Sequence, residues 1–155
     1  MSKHIIILVG PPGSGKTTYS EILKTEGYER ISQDDQGKDV HVSLFLAAVN
    51  AGKDIIVDRM NFNKEQRGRY LSIAKSFGYH STIIVLHESK ETCLARCLAR
   101  KDHPTIKDKS AAQSALNTFF SKYERPTKDE ADEIEFKYPN NTNFPSADRD
   151  WETTS

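Results

Sequence analysis

The segment GPPGSGKT at residues 10–17 is the feature that most restricts the fold of this chain. It fits the pattern GxxxxGK(S/T) and directly follows the apolar run at residues 5–9. Glycines let the backbone N–H groups of such a loop turn inward around phosphate oxygens, and the helix that starts there adds positive charge. In that setting Lys16 reaches the β- and γ-phosphates and Thr17 offers its hydroxyl to Mg²⁺. The segment therefore predicts a nucleoside triphosphate site, formed by Gly10, Pro11, Pro12, Gly13, Ser14, Gly15, Lys16 and Thr17.

Three short apolar runs, at residues 5–9, 55–57 and 82–86, are rich in β-branched side chains and do not alternate with polar ones. This pattern is typical of strands buried on both faces, as in a parallel sheet. Residues 28–32 form a weaker candidate strand. Amphipathic helical stretches separate the runs, and Gly27 and Gly78 follow two of them as helix stops. The alternation predicts an α/β fold of the P-loop NTPase kind, with a central parallel sheet flanked by helices.

The charges divide the chain into two parts. Residues 1–128 hold 20 basic and 14 acidic residues, whereas residues 129–155 hold 2 and 8. A basic body with an acidic end is one feature of proteins that bind polyanions, although a solvated charged surface gives the same count. With 155 residues we expect one kinase-sized domain at residues 1–136 and a polar acidic tail of little regular structure at residues 137–155.

The two cysteines, Cys93 and Cys97, form no CxxC pair and have no histidines close by in the sequence. A disulfide scaffold and a zinc site are therefore not expected. No apolar run approaches the 18 residues that a membrane span needs, so we expect no membrane partner. These features predict a protein of the reducing cytoplasm, in a cell or in a virus-infected host.

Residues 34–37 fit the Asp-x-x-Gly of a GTP switch, but the Asn-Lys at residues 63–64 continues Glu-Gln and lacks the guanine-reading pattern. A kinase needs a base near the acceptor hydroxyl and arginines for the developing charge. Asp34 or Asp35 can supply the base, because both follow the second strand, and Asp35 can instead cap the next helix. Asp58, at the end of the third strand, can hold Mg²⁺ through water or cap the next loop at Asn61 or Asn63.

Arg96 and Arg100 lie one helical turn apart, ahead of a proline-bearing loop at residues 101–104. This arrangement suggests a lid over the triphosphate, although two arginines at this spacing also occur on solvated helix faces.

Five segments in this order resemble the kinase domain of polynucleotide 5'-hydroxyl kinases, as found in phage end-healing enzymes and in eukaryotic kinase-phosphatases. The resemblance covers about residues 4–136 and is carried by residues 31–37 (ISQDDQG), 58–63 (DRMNFN), 66–70 (QRGRY), 96–100 (RCLAR) and 123–127 (YERPT), together with the phosphate loop.

The resemblance implies an adenylate-kinase-like fold with a lid and transfer of the γ-phosphate of ATP, or another nucleoside triphosphate, to the 5'-hydroxyl end of DNA or RNA. It makes Asp34 the general base, Lys16 and Thr17 the phosphate and Mg²⁺ ligands, and Arg100 the lid arginine. It also places Arg96 near the nucleotide. The candidate acceptor-binding residues are Lys38, Asp58, Arg59, Asn61 and Arg67.

Two positions depart from the family pattern. Gln33 stands where many members have arginine before the catalytic aspartate, and Lys38 is the nearest basic residue where phage members hold the acceptor phosphate with arginine. Lysine is a weaker bidentate clamp than arginine. A small-molecule kinase for a nucleoside, nucleotide or sugar therefore stays open as the alternative, whereas a non-catalytic ATP-binding module is disfavoured because a candidate base and lid arginines accompany the loop. A homo-oligomer and separate ligase or phosphatase partners also stay open.

Overall fold

The computed structural model describes residues 3–99 and 109–138, and at residues 34 and 35 it describes the backbone. In chain order the elements of these ranges are β1 (His4–Val9), α1 (Lys16–Thr25), β2 (Glu29–Ile31), α2 (Gln33–Gln36), α3 (Lys38–Asn50), β3 (Ile55–Val57), α4 (Lys64–Ser76), β4 (His80–Leu86), α5 (Lys90–Ala99), α6 (Lys109–Lys122) and β5 (Glu133–Lys137).

The strands form one sheet in the order β2-β3-β1-β4-β5, and every pairing is parallel. The predicted α/β fold with a central parallel sheet is therefore confirmed. β1 lies in the middle, and the chain leaves it first toward β2 and later toward β4. In an open sheet of this kind the ligand crevice lies beyond the carboxyl ends of the strands, where the strand order changes direction. The phosphate loop follows β1 at this point.

The non-alternating apolar runs are explained by burial on both faces of the sheet. Ile5, Ile7 and Val9 of β1 join one core cluster, against which α3, α4 and α6 pack. Ile6 and Leu8 join a second cluster on the other face, where Tyr19 and Leu23 of α1 pack. A strand that is buried on both sides needs apolar residues at successive positions, which is why β1, β3 and β4 could be predicted.

Two helices end as the glycines indicated. α1 ends at Thr25 and α4 at Ser76, and each is followed within two residues by a glycine with left-handed φ, Gly27 at 102° and Gly78 at 83°. This is a common way to end a helix because glycine has no Cβ to clash. Phe77, which directly follows α4, is 42% exposed. It is the C-cap residue, so its side chain leaves the helical stripe.

The edge strand β5 was not predicted. It alternates in burial, with Ile134 and Phe136 packed against the first core cluster and charged residues between them. The strand extends to Lys137, one residue past the expected domain boundary, and residues 139–155 of the expected tail lie outside the described residues. Within residues 3–99 and 109–138, no helix is both long and apolar enough to cross a membrane.

Candidate active site

The phosphate loop closes the carboxyl end of β1 and leads into α1. Gly13 and Gly15 adopt left-handed φ values of 83° and 100°, which few other residues accept. The Ser14 hydroxyl oxygen is buried and has no hydrogen-bond partner among the described residues. A buried hydroxyl without a partner is costly, and a phosphate oxygen would satisfy it. The loop therefore fits a bound phosphate chain.

The start of α5 packs directly on this loop. A Cβ atom on Gly13 would collide with the backbone carbonyl oxygen of Cys93. Glycine is thus required at this position by close approach as well as by φ. Burial raises the pKa of the Cys93 thiol to about 12, although the nearby Lys16 ammonium opposes the rise. The thiol therefore stays protonated near pH 7 and serves as packing between the loop and α5, because only the thiolate is an effective nucleophile.

Two cationic side chains donate hydrogen bonds to carbonyl oxygens of the phosphate loop. The Lys16 ammonium donates to the Pro11 carbonyl over 2.9 Å. The Arg96 guanidinium donates to the Gly13 carbonyl over 3.1 Å and forms an ion pair with Glu88 at 3.3 Å. The structure thus places Arg96 beside the phosphate loop, as expected for a residue near the nucleotide. Arg100 and the expected lid at residues 101–104 lie outside the described residues.

Glu88 is a site residue that the sequence reasoning missed. It follows β4 at the carboxyl edge of the sheet and is 8% exposed. Because β4 neighbours β1, a polar residue just after β4 must lie near the phosphate loop. A search for polar residues at strand ends would have found it.

Asp58 lies in a buried hydrogen-bond network at the end of β3. Its Oδ2 atom accepts from the Arg30 guanidinium over 2.6 Å and from the Ser20 hydroxyl over 3.0 Å, and all three side chains are buried. The bonds that the described residues form to the Asp58 side chain come from Ser20 and Arg30 and not from the loop at Asn61 or Asn63, whereas the Asn63 side chain caps α4 by accepting from the Gln66 N–H. Since Arg30 already neutralises this carboxylate, Asp58 does not fit a free acceptor-binding group. Thr17 remains the candidate Mg²⁺ ligand.

Asn61 and Arg67, which were predicted to bind the acceptor, are buried at 1% and 0% exposure and have partners within the protein. The Asn61 amide donates to the Leu8 carbonyl over 2.7 Å and thereby fixes the loop after β3 to the end of β1. The Arg67 guanidinium forms a bidentate pair with Glu130, at 2.8 and 3.2 Å. It also donates to the carbonyls of Asn61 and Glu124, each over 2.9 Å. These bonds join the loop after β3 to the end of β1 and to the segment after α6.

Arg67→Met should lower the free energy of unfolding by about 3 kcal/mol, because it leaves the Glu130 carboxylate without its cation in a largely buried place. Urea unfolding measures this loss. The control Arg69→Met changes an exposed residue of the same helix and should stay within about 0.5 kcal/mol of the wild type. An Arg67→Met variant of unchanged stability would contradict the structural role.

Asp34 and Asp35 lie in the short helix α2, directly after β2. The N-cap of α3 is Gly37, so the predicted capping role of Asp35 is wrong. Gln36 anchors this turn, since its amide oxygen accepts from the Ser32 N–H and its amide nitrogen donates to the Arg30 carbonyl. The backbone of Asp34 is thus held at the carboxyl edge of the sheet, on the side of β1 away from Glu88.

Arg59 and Lys38 also lie at this edge. The Asp58 N–H donates to the Ile31 carbonyl over 2.8 Å, so the next residue, Arg59, lies just beyond the ends of β3 and β2. Its guanidinium is half-buried and donates to the Tyr70 hydroxyl over 2.7 Å. Lys38 is the exposed first residue of α3. The crevice therefore has a phosphate loop with Lys16 and Arg96 on one side, and Asp34, Lys38 and Arg59 near the other.

The family model described as AAA domain (AAA_33) matches residues 5–126. Transcription factor bHLH140 of Arabidopsis thaliana is 27% identical over 81% of this chain and 15% of its own length. A protein of Autographa californica nuclear polyhedrosis virus, named as a candidate bifunctional polynucleotide kinase/RNA ligase, is 28% identical over 65% of this chain and 19% of its own. The chain thus spans less than a fifth of the length of either relative. A candidate gluconokinase of Schizosaccharomyces pombe is 27% identical over 89% of this chain and 81% of its own.

Solved structures of P-loop kinases are similar in fold. The gluconokinase of Sinorhizobium meliloti gives a TM-score of 0.57 at 19% identity, covering 94% of this chain and 86% of its own. The APS kinase of Mycobacterium tuberculosis, solved with AMPPNP and APS, gives a TM-score of 0.58 at 15% identity, covering 96% and 93%. The chain therefore has the P-loop kinase fold.

Proposed function

The chain belongs to the AAA domain family AAA_33, and from this premise we propose that it is an ATP-dependent polynucleotide kinase that phosphorylates 5'-hydroxyl ends of DNA or RNA. One observation supports this proposal above all: the phosphate loop, the turn that contains Asp34 and the loop that contains Arg59 lie at the same edge of the sheet. The named activity of the viral relative supports the same acceptor class. The excess of 20 basic over 14 acidic residues in residues 1–128 suits a polyanionic acceptor.

Each group has a role that its chemistry allows. ATP supplies the phosphoryl group, and the Thr17 hydroxyl would hold a Mg²⁺ ion, which would offset negative charge on the phosphates. Lys16 and Arg96 lie where they can exchange their loop carbonyl partners for phosphate oxygens and balance the charge of the transition state. The Asp34 carboxylate accepts the proton of the attacking 5'-hydroxyl. Arg59 and Lys38 bind phosphates of the acceptor strand.

A small-molecule kinase is the second candidate function, and one observation favours it. The relative named as a candidate gluconokinase aligns over 81% of its own length, whereas the polynucleotide kinase relative aligns over 19%. The similarity to the candidate gluconokinase therefore extends over most of both chains. The same fold occurs in both classes of kinase, so only the identity of the phosphorylated acceptor distinguishes them.

The deciding experiment incubates the protein with γ-labelled ATP and 5'-hydroxyl DNA and RNA oligonucleotides, with nucleosides and gluconate in parallel. Oligonucleotides that already carry a 5'-phosphate are the matched control. We expect label on the 5'-hydroxyl oligonucleotides, and their KM should rise with salt with a log–log slope of about 0.7 for each phosphate contact, because each contact releases counterions. Label on gluconate or a nucleoside alone would instead establish the small-molecule kinase.

A further inference from the structure

A chain of hydrogen bonds leads from the half-buried Arg59 to the buried side chains of Tyr70 and His41. The hydroxyl of Tyr70, on α4, accepts a hydrogen bond from the Arg59 guanidinium over 2.7 Å. The same hydroxyl lies 3.1 Å from Nε2 of His41, on α3. Nδ1 of His41 lies 3.1 Å from the Gly37 carbonyl oxygen. Tyr70 and His41 are 4% and 3% exposed. Two buried polar side chains thus connect the loop after β3 to the turn between α2 and α3.

The direction of these bonds follows from what each group can do. The Gly37 carbonyl can only accept, so Nδ1 of His41 carries a proton and donates it. Nε2 is then free to accept from the Tyr70 O–H, and the Tyr70 oxygen accepts from Arg59. Every donor in the series finds an acceptor in only this order. The Tyr70 oxygen is therefore presented to Arg59 as an acceptor, which fixes one nitrogen of the guanidinium.

The two ends of this series flank the acceptor side of the crevice. Gly37 directly follows α2, which carries Asp34, and Arg59 lies beyond the ends of β3 and β2. Arginine loses much side-chain entropy when it binds a phosphate, and prior fixation reduces that cost. Only one Arg59 nitrogen is given to Tyr70, which leaves further N–H donors of the guanidinium for a ligand.

We propose that Tyr70 and His41 are positioning residues that hold the Arg59 guanidinium ready for a phosphate of the acceptor strand. His41 orients the Tyr70 hydroxyl, and the hydroxyl orients Arg59. This inference rests on the proposed polynucleotide kinase function and deepens it. No sequence pattern indicated the series, since the three residues come from two helices and a loop.

The test compares Tyr70→Phe with Tyr79→Phe. Tyr70→Phe keeps the ring that packs edge-on against Phe45 and removes only the hydroxyl. Tyr79 is equally buried, and its hydroxyl donates to the Lys53 carbonyl over 2.7 Å, outside the series. Tyr70→Phe removes the hydrogen bonds to Arg59 and His41, and Tyr79→Phe removes the bond to the Lys53 carbonyl, so both variants should lower the melting temperature. Only Tyr70→Phe should raise the KM for a 5'-hydroxyl oligonucleotide, by about tenfold, with the KM for ATP unchanged.

A double-mutant cycle with Arg59→Met separates positioning from general loosening. In the Arg59→Met background, Tyr70→Phe should have no further effect on the oligonucleotide KM, because no guanidinium remains to be held. A second variant, His41→Asn, covers the case in which Tyr70→Phe folds poorly. Its side chain is too short to reach Tyr70, so we expect the same increase in the oligonucleotide KM. Equal KM values for the two tyrosine variants, or effects that multiply in the double variant, would overturn the inference.

Failure of the proposed function has a different signature. It would appear in the wild type as label on a small acceptor and none on oligonucleotides. The tyrosine variants and the cycle are then measured on that small acceptor. A selective Tyr70→Phe effect that depends on Arg59 would still support positioning, and its absence would overturn it.

Discussion

Asp34→Asn should lower the turnover number by about 100- to 10,000-fold, which is the usual contribution of a general base, while ATP binding is retained. The physical reason is that an amide cannot take up the proton of the attacking hydroxyl, although it has nearly the same shape as the carboxylate. Single-turnover transfer from labelled ATP to a 5'-hydroxyl oligonucleotide measures the loss, and a fluorescent ATP analogue measures binding.

Asp35→Asn is the matched control, because it makes the same change one residue further along α2. It should keep turnover close to the wild type. It should also keep the melting temperature, because Gly37 and not Asp35 is the N-cap of α3. If Asp35→Asn loses the chemistry and Asp34→Asn does not, then the base is assigned one residue too early.

Lys16→Ala should lower transfer by about 100- to 1000-fold, since removal of one preorganised donor to a developing charge typically has an effect of this size. The fold should survive, because the hydrogen bond that the structure shows for the ammonium ends on the Pro11 carbonyl of the same loop. Transfer rates and thermal melts of the purified variant measure the two effects separately.

Lys24→Ala is the control for this change, because Lys24 is exposed in the last turn of the same helix. It removes the same charge from the surface and should leave the rate near that of the wild type. Near-normal transfer by Lys16→Ala would show that the loop does not hold the reacting phosphates.

The resemblance to polynucleotide kinases selected residues that the structure places in two kinds of environment. It selected Lys16, Thr17 and Arg96, which the structure places in or beside the phosphate loop. It also selected Asn61 and Arg67, which are buried and hold the backbone of the crevice. A motif shows which residue type occurs at a position but not why it occurs there. A buried arginine that connects three segments and an arginine that binds a ligand can match the same motif.

The sequence by itself determined the phosphate loop, the buried strands and the parallel sheet. These features are encoded by residues that are adjacent in the sequence. The positive φ values at Gly13 and Gly15 require glycine at those positions, and burial on both faces of β1 requires consecutive apolar residues. Only the tertiary structure decided that Asp58 pairs with Arg30, that Arg67 pairs with Glu130, and that Arg59 is held by Tyr70 and His41. Each of these contacts joins residues 11 to 63 positions apart. An arginine or aspartate has the same appearance in a sequence whether it meets solvent, a ligand or a buried partner, and the packing of the helices on the sheet selects among them.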